Sequence, residues 1–181
     1  MPTNVPNFKR RPIIGVMGSH SNPHIKRSRQ VGQWIAKAGF HLLTGGGAGV
    51  MGAVSKSFVE VTDRSGLALA IVPCISSDTE HSPVLGYPNP WVELPIYTHL
   101  ERGLEPIDNT NSRNNINVLT STVLIFLPGG EGTESEARLA VRYGTPCIAF
   151  LRFRDEIPGL PDSIIVESNF TYIQKFVHAS L

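Results

Sequence analysis

The sequence predicts an α/β protein, a Rossmann-like parallel sheet with helices on both faces. Two observations carry the expectation. Apolar, β-rich runs of five or six residues alternate with stretches of helical spacing along most of the chain. Two of those runs enter glycine turns that open helices, Leu127-Pro128-Gly129-Gly130-Glu131-Gly132-Thr133 and Gly45-Gly46-Gly47-Ala48-Gly49-Val50-Met51-Gly52. Right-handed crossovers put such turns at one edge of a parallel sheet, where open α/β sheets bind ligands.

Pro12-Ile13-Ile14-Gly15-Val16-Met17 reads as the first strand, closed by Gly18-Ser19-His20-Ser21. The next helix is expected from Asn22-Pro23, because proline suits a first helical position. Val31, Trp34, Ile35 and Ala38 keep its spacing and Gly39 ends it. Phe40-His41-Leu42-Leu43-Thr44 is a second strand, followed by a helix over about 50–61. Leu67-Ala68-Leu69-Ala70-Ile71-Val72 is a third, closed by Pro73. From 74 to 111 the pattern lapses into a long loop region, since Pro83, Pro88, Pro90, Pro95 and Pro106 work against regular helix. A short strand still fits within 91–97. Asn109-Thr110-Asn111-Ser112 supplies cap residues for a helix over 113–119. Thr122-Val123-Leu124-Ile125-Phe126 reads as a buried strand, with a helix over 137–143 beyond its glycine turn. A strand over 147–151, an apolar run over 164–166 and an amphipathic helix complete the chain. That last helix has Ser168 and Asn169 as caps, and Phe170, Ile173, Phe176 and Val177 on one face.

At 181 residues the chain is expected to be one domain, 1–181, with residues 1–11 as a flexible N-terminal arm. Apolar residues at 41% and charged ones at 17% mark it as globular. A net charge of +1 offers no footprint for nucleic acid or an anionic membrane, and Lys9-Arg10-Arg11 is too short to change that. No run is long enough to span a bilayer, and the N-terminus lacks the apolar core of a signal peptide. The expected location is cytoplasmic. The two cysteines make neither a disulfide framework nor a metal site. Cys147 falls in an apolar run, whereas Cys74 opens a polar loop that would leave it exposed.

The turn after the 122–126 strand is the strongest chemical signal. Gly129, Gly130 and Gly132 let backbone amides approach an anion, and Thr133 adds a hydroxyl at the positive end of a helix. The same letters admit another reading: Thr133-x-x-Glu136 is a capping box, whose side chains satisfy the first helical amides. Gly47-x-Gly49-x-x-Gly52 satisfies a dinucleotide fingerprint, yet no acidic residue stands about 20 positions on to hold a ribose. No Gly-Lys-Ser/Thr follows either turn, so a Walker loop is missing. A tight strand-to-helix turn explains the 45–52 run equally well. Arg113 is the cation best placed to join the crevice, where a guanidinium grips phosphate or carboxylate bidentately. Its plain alternative is a solvent-facing arginine in a first helical turn. His20 and His81 lie in loops beside the expected site.

These motifs together resemble the Lonely Guy and lysine-decarboxylase-like Rossmann superfamily over about 12–151. The resemblance rests on Gly-Gly-x-Gly-Thr-x-x-Glu at 129–136, on the 45–52 loop, and on Arg113 standing 23 residues before Glu136. One branch cleaves the N-glycosidic bond of nucleoside 5′-monophosphates. It implies Arg113 and Glu136 as catalytic residues, Glu136 orienting water or stabilising oxocarbenium-like charge. Here Asn111-Ser112-Arg113-Asn114-Asn115 replaces that branch's usual Met-His-x-Arg-Lys. The other branch, the molybdenum cofactor carrier and binding proteins, is similar over 11–18, 94–98 and above all 113–119. It implies a protein that holds a phosphate-bearing pterin with its molybdenum rather than cleaving a bond.

The turns and the resemblance together name Gly18, Ser19, Gly45, Gly46, Gly47, Gly49, Val50, Met51, Arg113, Asn114, Pro128, Gly129, Gly130, Gly132, Thr133 and Glu136 as cofactor-binding, with no metal-ligating side chain. The preferred ligand is the molybdenum cofactor, and the alternative function is a nucleoside 5′-monophosphate phosphoribohydrolase. A third reading is a module whose glycine turns serve only the fold. The resemblance also implies a homo-oligomer, dimer or tetramer, with the apolar face of the last helix as one contact. Residues 101–111 are expected to form a lid or an inserted surface loop.

Overall fold

Short apolar runs bounded by glycine and proline become strands, and every strand pairs in parallel. In the computed structural model, which describes residues 10–75, 82–100 and 112–181, these are Ile13–Met17 (β1), His41–Thr44 (β2), Ala68–Val72 (β3), Leu94–Tyr97 (β4), Val123–Phe126 (β5), Cys147–Phe150 (β6) and Ile165–Glu167 (β7). They form one sheet in the order β4-β3-β2-β1-β5-β6-β7. The chain walks outward from β1 to β4, then returns to place β5 on the other side of β1. That reversal opens a crevice beyond the carboxyl ends of β1 and β5. The register there pairs Met17 with Phe126.

The helices are Ile25–Lys37 (α1), Val50–Val59 (α2), Asn114–Thr120 (α3), Glu131–Tyr143 (α4) and Phe170–Ala179 (α5). Alternation along the strands sorts them onto the two faces. Ile14, Val16 and Ile125 meet Val31, Ile35, Val54, Phe58, Ile173 and Val177 from α1, α2 and α5. Met17, Leu124 and Phe126 meet Val118, Ala137, Leu139 and Ala140 from α3 and α4. Side chains such as Phe58, with no exposed surface, contribute about 1.5–3 kcal/mol each by burial. Gly32 brings α1 close to α2, because a β-carbon there would press on the Val54 carbonyl.

Several expectations need correction. α1 starts at Ile25, not at Pro23: the Pro23 carbonyl accepts from the Ser28 hydroxyl at 2.6 Å, and His24 takes a left-handed conformation (φ 39°) just before the helix. α4 starts at Glu131, six residues earlier than expected, with Gly130 before it. Thr133 is therefore already inside the helix, so the capping box does not form. The apolar face of α5 is spent on this chain's own core, where Ile173 and Val177 are buried and Phe170 and Phe176 pack against them. Cys74 is buried at 3% exposure rather than open, its amide bonded to the Leu100 carbonyl. The proline-rich stretch contains β4, which tolerates Pro95 because it pairs on one side only, with β3. The arm up to residue 9, His81, the 109–111 caps and the 101–111 segment lie outside the described residues.

Candidate functional site

A cavity of about 410 Å³ lies at the β1/β5 reversal. Its walls come from five parts of the chain. The β1–α1 turn supplies Met17, Gly18, Ser19, His20 and Ser21; α2 supplies Met51; the loop before β4 supplies Tyr87. The start of α3 gives Arg113 and Asn114, and the start of α4 gives Gly130, Glu131, Gly132, Thr133 and Glu136. Among the named residues, Gly45, Gly46, Gly47, Gly49, Val50, Pro128 and Gly129 do not line it.

The two glycine turns do different work. At the α4 turn, an added β-carbon on Gly130 or Gly132 would meet nothing within 4 Å. Neither glycine relieves a crowded backbone; both leave room where the first-turn amides of α4 emerge. Thr133 is buried under this turn, its hydroxyl against Gly129. The 45–52 turn instead spends its amides on the protein: Gly46 donates to Thr44 Oγ1 at 3.1 Å and Gly47 to the Met51 thioether at 3.4 Å. Val50 donates to the Ser19 carbonyl at 2.8 Å. Here the glycines accommodate other side chains. A β-carbon on Gly45 would run into the Arg113 guanidinium, and one on Gly47 would come within 2.7 Å of the Tyr87 phenol. Asn89 clamps this turn, donating from its amide to the Gly46 carbonyl at 2.7 Å and from Nδ2 to the Gly47 carbonyl at 3.0 Å.

Arg113 is buried at 5% exposure, not solvent-facing. Its Nη1 donates to the Ile71 carbonyl at 3.2 Å, and its guanidinium carbon stands 5.7 Å from the Tyr87 ring centroid. It thus ties α3 to β3 while keeping a face on the cavity. Glu136, also buried, accepts from Asn117 Nδ2 at 2.8 Å; the other amide atom, Asn117 Oδ1, is buried without a hydrogen-bond partner. Burial drives the Glu136 carboxyl up to about 7, against the opposing influence of Arg113 and the Asn117 hydrogen bond. Near neutrality the carboxyl is therefore divided between its protonated and charged forms. Glu131 is exposed on the cavity wall. Ser19 Oγ is occupied locally, accepting from the Asn22 amide at 2.9 Å and the Ser21 amide at 3.2 Å.

Tyr87 is the residue that sequence reasoning missed. It sits in Gly86-Tyr87-Pro88-Asn89-Pro90, a stretch with no periodicity, and only the need to fill space above a glycine turn signals it. His20 lines the cavity beside it. Among the described residues, no group of three or more His, Cys, Asp or Glu is placed to hold a metal ion, and no helix is long and apolar enough to cross a membrane. Cys147 is partly buried, which pushes its thiol up to about 11 and favours the protonated form near neutrality.

Residues 11–172, nearly the whole described frame, match the model of the SLOG cluster4 family. The chain belongs to the SLOG cluster4 family. Solved structures agree with that membership and place it close to molybdenum cofactor carriers within the LOG-like superfamily. The molybdenum cofactor binding protein of the phototrophic bacterium Rippkaea orientalis is 31% identical, with a TM-score of 0.68 over 94% of this chain and 97% of that one. The molybdenum cofactor carrier protein of Chlamydomonas reinhardtii is 26% identical, with a TM-score of 0.64 over 94% and 99%. DNA processing protein A of Helicobacter pylori, described with a single-stranded DNA binding mode, is 18% identical with a TM-score of 0.64 over 93% and 81%. That last likeness concerns the fold alone. No curated protein matches the chain.

Proposed function

We propose that this SLOG cluster4 protein holds the molybdenum cofactor as cargo, for protection or transfer, in the cavity at the β1/β5 reversal. The observation that carries the reading is the open start of α4. Gly130 and Gly132 leave space where helix amides emerge, which is what a terminal phosphate requires. Two of the similar solved structures are of proteins named for binding or carrying this cofactor. The start of α4 would hold the ligand's phosphate, and the rest of the cavity wall its pterin. Purified protein at micromolar concentration is expected to bind the cofactor and slow its oxidative decay. Gly130→Val, which fills the space before α4, is expected to lose that protection while folding normally. If the unaltered protein neither binds nor protects the cofactor, the reading fails.

A second reading has its own observation. Arg113 and Glu136 line one cavity, and a carboxyl held near 7 suits acid–base work at a glycosidic bond. If the protein is a phosphoribohydrolase, AMP or a related monophosphate releases free base and Glu136→Ala abolishes the release. No base from any purine or pyrimidine monophosphate excludes it.

A further inference from the structure

We infer that His20, backed by Tyr87, is the platform on which a flat heterocycle of the ligand stacks. The inference rests on the ligand site proposed above and assigns its second half. The two rings lie within 7° of parallel, their centroids 5.9 Å apart, and Tyr87 Oη stands 3.3 Å from His20 Nδ1. Tyr87 is 8% exposed and packs against Gly47 and the Arg113 guanidinium. Its own amide also donates to the Val84 carbonyl at 3.0 Å. His20, by contrast, is exposed and belongs to the cavity wall. The arrangement is thus an anchored phenol ring carrying an accessible imidazole.

Met17 and Met51 belong to the same wall, and methionine side chains favour contact with aromatic rings. The cavity therefore presents two kinds of surface. The α4 turn offers amides to an anion, and the His20–Tyr87 pair, with the methionines beside it, offers aromatic and apolar surface to a planar ring. The ligand class that uses both is a phosphate joined to a pterin or purine. A bare sugar phosphate engages only the first.

Calorimetric titration of the full chain with three probes tests this: ribose 5-phosphate, 6-hydroxymethylpterin phosphate, and formycin 5′-monophosphate, whose carbon–carbon glycosidic bond cannot be hydrolysed. The ring-bearing probes are expected to bind at least about tenfold more tightly than ribose 5-phosphate, with quenched fluorescence. His20→Ala should erase that advantage and the quenching while leaving ribose 5-phosphate affinity unchanged. His20→Phe should restore both, and Tyr87→Phe should retain them. The platform is overturned if His20→Ala keeps the ring advantage, if His20→Phe fails to restore it, or if no probe binds. Should ribose 5-phosphate fail to bind while ring probes bind in a His20-dependent way, the phosphate reading falls and the platform stands.

Discussion

Glu136 shows how one buried carboxyl links the cavity to stability. Its folded-state value near 7 exceeds the ordinary 4.5, so between those values the folded protein binds more protons than the unfolded chain. The associated stability is present below about 4.5 and is lost as pH rises through 7, by up to about 3 kcal/mol. Glu136→Gln keeps an acceptor for Asn117 and removes the titrating charge. Chemical denaturation should show the variant more stable than the parent at pH 8, with the difference vanishing near pH 5. The glycines give a second residue-level prediction. Gly45→Ala should cost about 1–3 kcal/mol by overpacking against Arg113, whereas Gly130→Ala, opening onto free space, should leave the melting temperature within a degree or two. Equal effects would contradict the division of labour between the turns. That division was not legible in the sequence. A glycine run records that side chains are missing, but not whether a ligand or the protein's own Arg113 and Tyr87 takes the space.

At the scale of elements, the sequence was clear where periodicity was strong and silent where one atom decided. β1, β2, β3, β5 and β6 follow from apolar runs, and α2 from its glycine entry. The start of α4 was misread because Gly130 and Gly132 looked like turn residues, although the helix already runs through Gly132. Pro23 failed to open α1 because the Ser28 hydroxyl captures its carbonyl, a contact that no propensity encodes. The C-terminus of α4 obeys the simpler rule: Gly144 closes it in the left-handed region, φ 68°. A β-carbon there meets nothing, so Gly144→Ala isolates backbone strain from crowding. It should cost roughly 1 kcal/mol, read as a lower melting temperature with unchanged ligand affinity.

For the whole molecule, topology outlasted the errors in its parts. Alternating strands and helices were enough to predict a crevice at the carboxyl edge of the sheet, and the cavity at the β1/β5 reversal lies there, although of the 45–52 run only Met51 lines it. Lost from view were the contributions of 82–93, a stretch without helical or strand period that nevertheless supplies Tyr87 and Asn89. The small residue at the end of β1 has a consequence for motion. Ser19 donates its amide to the Pro128 carbonyl at 2.9 Å and receives the Val50 amide at its own carbonyl. One residue is thereby a rivet through both glycine turns, and neither turn opens without breaking its bond to Ser19. Occupancy at the α4 turn should be felt at α2, so hydrogen–deuterium exchange should slow at the Val50 amide when cargo binds, although Val50 does not line the cavity. The cavity then behaves less like a pair of independent jaws than like a single frame that loosens or stiffens as a unit.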